Sequence, residues 1–373
     1  MTLRIGPIEV DPPVVLAPMA GVTNAPFRRL CRRFGGGLYV SEMVLARAYL
    51  EGNERTAQMV AFGDDERPRS LQLYGVDPAD VGEAVARLTA LDGVDHIDLN
   101  FGCPAAKVTR KGGGAAIPAR PALLAAIVRA AVQAATPALV PVTVKFRVGI
   151  DESLSTFLTT GRIAEDEGAA AVALHARTAE QHYAGSADWS AIAALKEHVR
   201  SIPVLGNGDV FEGHDGPRML AETGCDGIVV GRGCLGRPWL FRDLACAFAG
   251  RPVPPPPLLG EVLAVLTDHA RMLVDWFGEH RGCRELRKHT GWYLKGYAVG
   301  PEARRSLASV SSIDELDALL ASLPPDLAPE PGVGRMVRGH SNGPRRVVLP
   351  AGWLDHPDDA APPVGADVLV SGG

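Results

Sequence analysis

The feature that most limits what this chain can fold into is a series of short apolar runs along its first 250 residues. VVLAPM (14–19), LYVSEMV (38–44), SLQLYG (70–75), HIDLNF (96–101), VTVKFRV (142–148), AVALHAR (171–177), IPVLGNG (202–208) and GIVVGRG (227–233) make eight. Most are rich in Val, Ile and Leu without strict alternation, the pattern of strands buried on both faces. Helix-like stretches such as PADVGEAVARLTAL and ARPALLAAIVRAAVQAA separate them, each closing near Gly or Pro. Eight such alternations predict an α/β fold, a (β/α)8 TIM barrel over residues 1–250, in preference to an open doubly wound sheet.

RPVPPPPLLG follows, and its residues 251–257 read as a semi-rigid linker. EVLAVLTDHARMLVDWFG, CRELRKHTGWYLKGY and SIDELDALLASL then show helical periodicity, which makes 258–323 a small C-terminal helical domain. Seventeen of the 50 residues 324–373 are Pro or Gly without sustained periodicity, so this stretch is expected to be a disordered tail.

The six cysteines form no CxxC pair, which argues against zinc sites and a secreted disulfide scaffold. The first residues, MTLRIGPIEVDPP, lack the form of a signal peptide, and no run of about 18 uninterrupted apolar residues marks a membrane span. A cytoplasmic protein, monomeric and without a membrane partner, is the expectation. A net charge of -5 gives no whole-chain sign of nucleic-acid binding, but the average hides local patches. Residues 104–120 carry Lys107, Arg110, Lys111 and Arg120, and Arg281–Arg305 carry seven basic residues against Glu285 and Glu302.

In a barrel of this kind the chemistry gathers at the C-terminal ends of the strands. Those ends read Pro18-Met19, Glu42-Met43, Gln72, Asn100, Lys145 with Arg147, His175 with Arg177, Asn207-Gly208-Asp209, and Gly231-Arg232. A few polar residues could merely terminate strands; a polar or turn-forming residue at the same end of all eight points to a site. GNGDV and GRGCLGRPW occupy the loops after strands seven and eight, where many barrels hold a phosphate. Lys145, inside an apolar strand, is a cation aimed at a developing anion, unless it snorkels to water from a core edge. A lone cysteine is more often a small buried hydrophobe than a catalyst. Cys103 differs in context: it follows a strand end by one Gly, precedes Pro104 and heads the basic loop KVTRKGGG.

LAPMAGVTNAPFR, SEMV, LQLYG, IDLNFGCPAAKV, VTVKFRVG, LHARTAEQHYAGSADW, IPVLGNGDV, DGIVVGRGCLGRPWLF and RKHTGWYLKG, in this order, make the chain similar over residues 7–320 to the bacterial tRNA-dihydrouridine synthases, in particular their B-type branch. The resemblance implies an FMN-binding catalytic barrel and a helical tRNA-binding domain. FMN would be held by Pro18, Met19, Ala20, Gln72, Lys145 and His175, with Asn207, Gly208, Asp209, Gly231 and Arg232 at its phosphate. NADPH would reduce FMN, hydride would pass to C6 of a tRNA uridine in the D loop, and Cys103 would protonate C5. Asn100 and Arg177 would meet the uracil, and Lys107, Arg110, Lys111, Arg284, Arg287 and Lys288 the tRNA. No metal is implied. KGGGAAIP departs from the family pattern, where a serine and leucines are common, and the stretch beyond 323 has no counterpart in it. The rival reading is an FMN barrel acting on a free pyrimidine, which would not need the basic helical domain. A phosphate-sugar aldolase using Lys145 as a Schiff base, or a barrel that binds without catalysing, is more distant.

Overall fold

The structure, a computed structural model, describes residues 2–339 and 343–363. A hairpin absent from the sequence reading comes first, β1 (Leu3–Ile5) paired with β2 (Ile8–Val10). The eight apolar runs then form β3 (Val14–Leu16), β4 (Leu38–Leu45), β5 (Ser70–Tyr74), β6 (His96–Phe101), β7 (Val142–Arg147), β8 (Ala171–His175), β9 (Val204–Asn207) and β10 (Gly227–Val230). They are parallel and pair in chain order, with β10 closing on β3, so the sheet is a barrel with no free edge. Helices such as Pro78–Ala90 and Pro121–Ala135 cover its outside with apolar faces, for example Leu123, Leu124, Ile127, Val128 and Ala131. Pro121–Ala138 is long and apolar enough by composition to cross a membrane, but here it is a barrel helix with one face against the core.

The barrel interior has two halves. Val15, Leu38, Val40, Ala171, Ala173, Leu205 and Val229 cluster with Leu3, Ile5 and Val10 of the hairpin, which thereby plugs the end where the strands begin. Across β5, β6 and β7 the filling is polar: Ser70, Gln72, His96, Asp98 and Thr143 are all buried. The opposite end, where the strands finish, stays open.

The loop after β3 is held by a buried cation. Arg28, 1% exposed, donates from Nη1 to Thr23 O at 2.7 Å, and from Nε and Nη2 to Glu66 at 2.5 and 2.9 Å. After residues 251–258, which have no regular structure, Leu259–Phe277 and Glu279–Tyr293 form a helical hairpin, followed by Pro301–Leu307 and Ile313–Ala321. Phe27 on the barrel, fully buried, lies 5.6 and 5.7 Å from the rings of His269 and His289, which seats the hairpin beside the open end.

The stretch beyond 323, expected to be a disordered tail, has described structure over 324–339 and 343–363. Its high Pro and Gly content leaves one short 3-10 turn, Val333–Arg335, among these described residues, which touch the folded body at a few buried side chains; 340–342 and 364–373 lie outside the described residues. Val333, Arg338 and Trp353 are 6%, 4% and 2% exposed. A few large side chains in pockets of the folded body anchor a chain that has no periodicity of its own. Breaking a buried ion pair by removing one partner strands the other charge, so Glu66→Ala should cost about 3–5 kcal/mol in urea unfolding.

Candidate functional site

The open end of the barrel holds a cavity of about 590 Å³. Pro18, Met19, Ala20, Gln72, Asn100, Cys103, Lys145, His175, Arg177, Asn207, Gly208, Asp209, Gly231 and Arg232 all line it, as does Lys288 from the helical hairpin. Apart from Lys288, residues far apart in sequence meet there because each lies on or just after a parallel strand.

A continuous hydrogen-bond chain rises through the polar half of the barrel to this cavity. Asp98 is its fixed point: Thr143 Oγ1 donates to Asp98 Oδ1 at 2.6 Å and Gln72 Nε2 to Oδ2 at 2.7 Å. Burial raises this carboxyl to about 6, against the pull of Thr143, Gln72 and the nearby Lys145 ammonium. With its proton committed to Asp98, Thr143 Oγ1 accepts from His96 Nε2 at 2.9 Å, and His96 Nδ1 accepts from Ser70 at 2.7 Å. Burial holds that imidazole neutral, lowering it to about 3. On the other side, Gln72 must turn its NH2 to Asp98 and so offers Oε1 upward, where Asn100 Nδ2 donates at 2.7 Å. Asn100 Oδ1 is thereby left to accept the backbone N–H of Gly102 at 3.0 Å and of Cys103 at 2.9 Å. The carboxylate thus dictates the orientation of two amides and the position of the cysteine.

Arg147, which the sequence reading placed at a strand end without giving it a role, grips the same loop. Its Nε donates to Gly102 O at 2.9 Å and its Nη1 to Thr178 O and His182 O at 2.8 and 2.9 Å. Burial pushes the Cys103 thiol above its ordinary range, outweighing the Ala105 amide, Arg147 and Lys107, which pull it down. Cys103 is therefore a thiol at neutral pH.

The cavity wall is cationic. Lys145 Nζ donates to Asn207 Oδ1 at 2.9 Å, and Asn207 Nδ2 to Val229 O at 2.7 Å. Burial lowers this ammonium to about 8, with Asp98 raising it and Arg147 lowering it further. His175 sits well below its normal range, from burial and then from Arg147, Lys145, Arg177 and Arg232, and is neutral. Tyr183, also missed in the sequence, lines the cavity with the Arg232 guanidinium 4.4 Å and that of Arg147 5.7 Å from its ring centre.

Arg177 lines the cavity, but its Nη2 donates to Asp209 Oδ1 and Oδ2 at 2.8 and 2.9 Å and to Gly185 O at 2.7 Å, and its Nε to Ala184 O at 3.1 Å. Those bonds make it a brace for the cavity wall. Asp209 takes the Arg177 pair and the Ala187 N–H at 2.7 Å, so its carboxylate builds the loop. Gly208, at φ +140°, has no room for a side chain: a Cβ would come within 2.5 Å of Ala187 Cβ. At Gly231 a Cβ would meet only Ala17 Cβ, at 3.7 Å, and would project into cavity space.

The basic residues divide. Lys107, Arg110 and Arg284 are exposed and Lys111 is half-buried. Lys288 pairs with Glu285 at 2.5 Å while facing the cavity. Arg287 Nε donates to Val310 O at 3.0 Å, which ties the helical hairpin to its neighbours; this anchors the fold and weakens the case for Arg287 as an RNA contact.

Comparison with known proteins agrees with the motif reading. The family model described as "Dihydrouridine synthase (Dus)" matches residues 15–324. The chain is 56% identical over 379 residues to a probable tRNA-dihydrouridine synthase of Mycobacterium tuberculosis, covering 100% of this chain and 97% of the relative. It is 53% identical over 386 residues to that of Mycobacterium leprae, with 96% and 100% covered. To the tRNA-dihydrouridine synthase B of Xanthomonas axonopodis pv. citri it is 40% identical over 338 residues, covering 87% of this chain and 99% of that one. With the family model spanning most of the barrel and helical hairpin, and relatives matched along nearly their whole length, the chain belongs to the dihydrouridine synthase family.

Proposed function

We propose that this protein reduces a D-loop uridine of tRNA to 5,6-dihydrouridine, with FMN in the barrel mouth, NADPH as the reductant and Cys103 as the proton donor. The observation that carries this reading is the placement of Cys103. Its backbone is locked by Asn100 at the cavity edge, and its thiol is kept protonated by burial.

The cavity's residues fit FMN. Its volume suits a cofactor of that size. The backbone of Gly208, Asp209 and Gly231, with Arg232, offers a phosphate cradle that a side chain at Gly231 would narrow. Pro18, Met19 and Ala20 border the space, and Gln72, Lys145, His175 and Asn207 supply polar contacts, of which Lys145 suits an anionic ring edge. FMN, once bound and reduced by NADPH, supplies the hydride that adds to C6 of uracil.

The chain's own residues do the rest. Hydride addition at C6 breaks the C5–C6 double bond and leaves an electron pair at C5, conjugated with the C4 carbonyl. The Cys103 S–H gives its proton to C5, and the thiolate recovers one from water. Uridine, NADPH and one proton thus become dihydrouridine and NADP⁺. A thiol is a fitting acid because it releases its proton more readily than water while remaining protonated at rest. Arg147, which holds Gly102 O, offers positive charge beside the thiolate formed in that step. A tRNA uridine is stacked and must turn out to enter the mouth, at a cost of a few kcal/mol that phosphate contacts offset. Lys107 and Arg110, exposed beside Cys103, and Arg284 and Lys288 on the helical hairpin are the contacts we assign.

Cys103→Ala should retain FMN and its reduction by NADPH while uridine reduction slows by about 10²-fold or more; normal turnover would reject the assignment. The Lys145 ammonium is charged below about 8 and neutral above it. FMN affinity, followed by flavin fluorescence, should therefore fall as pH rises through that value, and Lys145→Met should flatten the dependence. Replacing Lys107 and Arg110 together by Ala should weaken tRNA binding and reduce the slope of log affinity against log salt by about 1 for each tRNA phosphate no longer neutralised.

A further inference from the structure

Residues 324–339 and 343–363 form a strap that touches the helical hairpin, the rim of the cavity and the loop after β8. Arg338 Nε donates to Trp292 O at 3.1 Å, Arg345 N donates to Glu180 O at 2.9 Å, and further on Trp353 reaches the loop that follows Cys103. There Trp353 is 2% exposed. Its indole Nε1 donates to Ala116 O at 2.9 Å, and its own carbonyl accepts from Arg120 Nε at 3.0 Å. The Arg120 guanidinium also lies 4.2 Å from the indole ring centre.

Gly112, the first glycine of KVTRKGGG, is what admits this ring. At Gly112 a Cβ would stand 2.6 Å from a Trp353 ring carbon, so a side chain there and the indole exclude one another. Two residues on, Gly114 faces Cys103: a Cβ would stand 2.6 Å from Cys103 O and 3.1 Å from Cys103 Cβ. Ala115 N donates to Cys103 O at 3.0 Å. One layer of backbone therefore separates the indole from the cysteine. Asn100 and Arg147 hold the cysteine loop from the barrel side; the indole and Arg120 hold the following segment from outside.

We propose that Trp353 is a positioning residue for Cys103, clamping residues 112–120 so that the thiol stays seated at the cavity edge. The proposal rests on the reading of Cys103 as the proton donor. Trp353→Ala, compared with Trp353→Phe in the full chain, tests it. The Ala variant should lower kcat for uridine reduction by roughly 10- to 100-fold with little change in KM for tRNA, because a small misplacement of a reacting group costs that much. FMN content and flavin reduction by NADPH should not change. Phe, which keeps the ring, should restore most of the loss. In parallel, iodoacetamide alkylation followed by mass spectrometry should show faster modification of the Cys103 peptide in the Ala variant, with the half-buried Cys246 as internal control.

Unchanged kcat and unchanged Cys103 alkylation would overturn the proposal. So would a parallel fall of FMN content, flavin reduction and kcat, which marks a general structural role. A wild-type protein that makes no dihydrouridine would overturn the proposed function, while the alkylation comparison would still decide the clamp. If Trp353→Ala does not fold, hydrogen–deuterium exchange of the wild type decides: amides of 112–120 and 350–363 should be released together, and independent release would refute the clamp.

Discussion

The arrangement of the barrel mouth depends on one buried carboxylate. Asp98, 4% exposed, lies within the barrel, where an ionised group without partners would carry a penalty of several kcal/mol. Thr143 and Gln72 hydrogen bonds and the nearby Lys145 charge offset that penalty. Because a carboxylate only accepts, it fixes which end of Gln72 faces it, and Gln72 in turn fixes Asn100. The polarity set at Asp98 passes upward in two steps and ends as two backbone bonds that place Gly102 and Cys103. Asp98, Thr143, His96, Ser70 and Gln72 are buried, Asn100 is half-buried, and each is hydrogen-bonded, the condition under which a polar core rigidifies instead of destabilising.

The same low-dielectric interior governs the reactive groups. Burial opposes charge wherever it develops, so it keeps Cys103 a thiol, His175 neutral and Lys145 easier to deprotonate than a surface lysine. For Cys103 the desolvation outweighs Arg147 and Lys107, which favour the thiolate. An acid needs both influences, one to keep the proton at rest and the other to stabilise the base once the proton has left. Arg147 contributes to the second through the charge it brings to the loop it holds.

Much of this was legible in the sequence because burial on both faces leaves a strong mark. The eight runs read as strands became β3 to β10, and the polar residues at their ends converge on one cavity. What escaped the reading lay inside the runs. HIDLNF scans as a buried strand, yet its alternate residues His96, Asp98 and Asn100 face inward and build the relay, a fact that only closure into a barrel reveals. Arg147 and Tyr183 act through contacts with backbone and rings distant in sequence. The strap escaped for the opposite reason: composition measures periodicity and average hydropathy, whereas Val333, Arg338 and Trp353 are single anchors in pockets made by other segments. In the glycine run after Cys103, ambiguous as sequence, Gly112 makes room for the Trp353 indole and Gly114 for the backbone of Cys103.

The central claim is that this barrel makes dihydrouridine in tRNA. Its most direct test is to delete the gene and quantify dihydrouridine in digested tRNA by mass spectrometry, with the wild-type gene and its Cys103→Ala form returned on a plasmid. The account predicts loss of dihydrouridine at a D-loop position, restored by the wild-type gene and not by the variant. Dihydrouridine unchanged at every position, in a host without a second such enzyme, would contradict it.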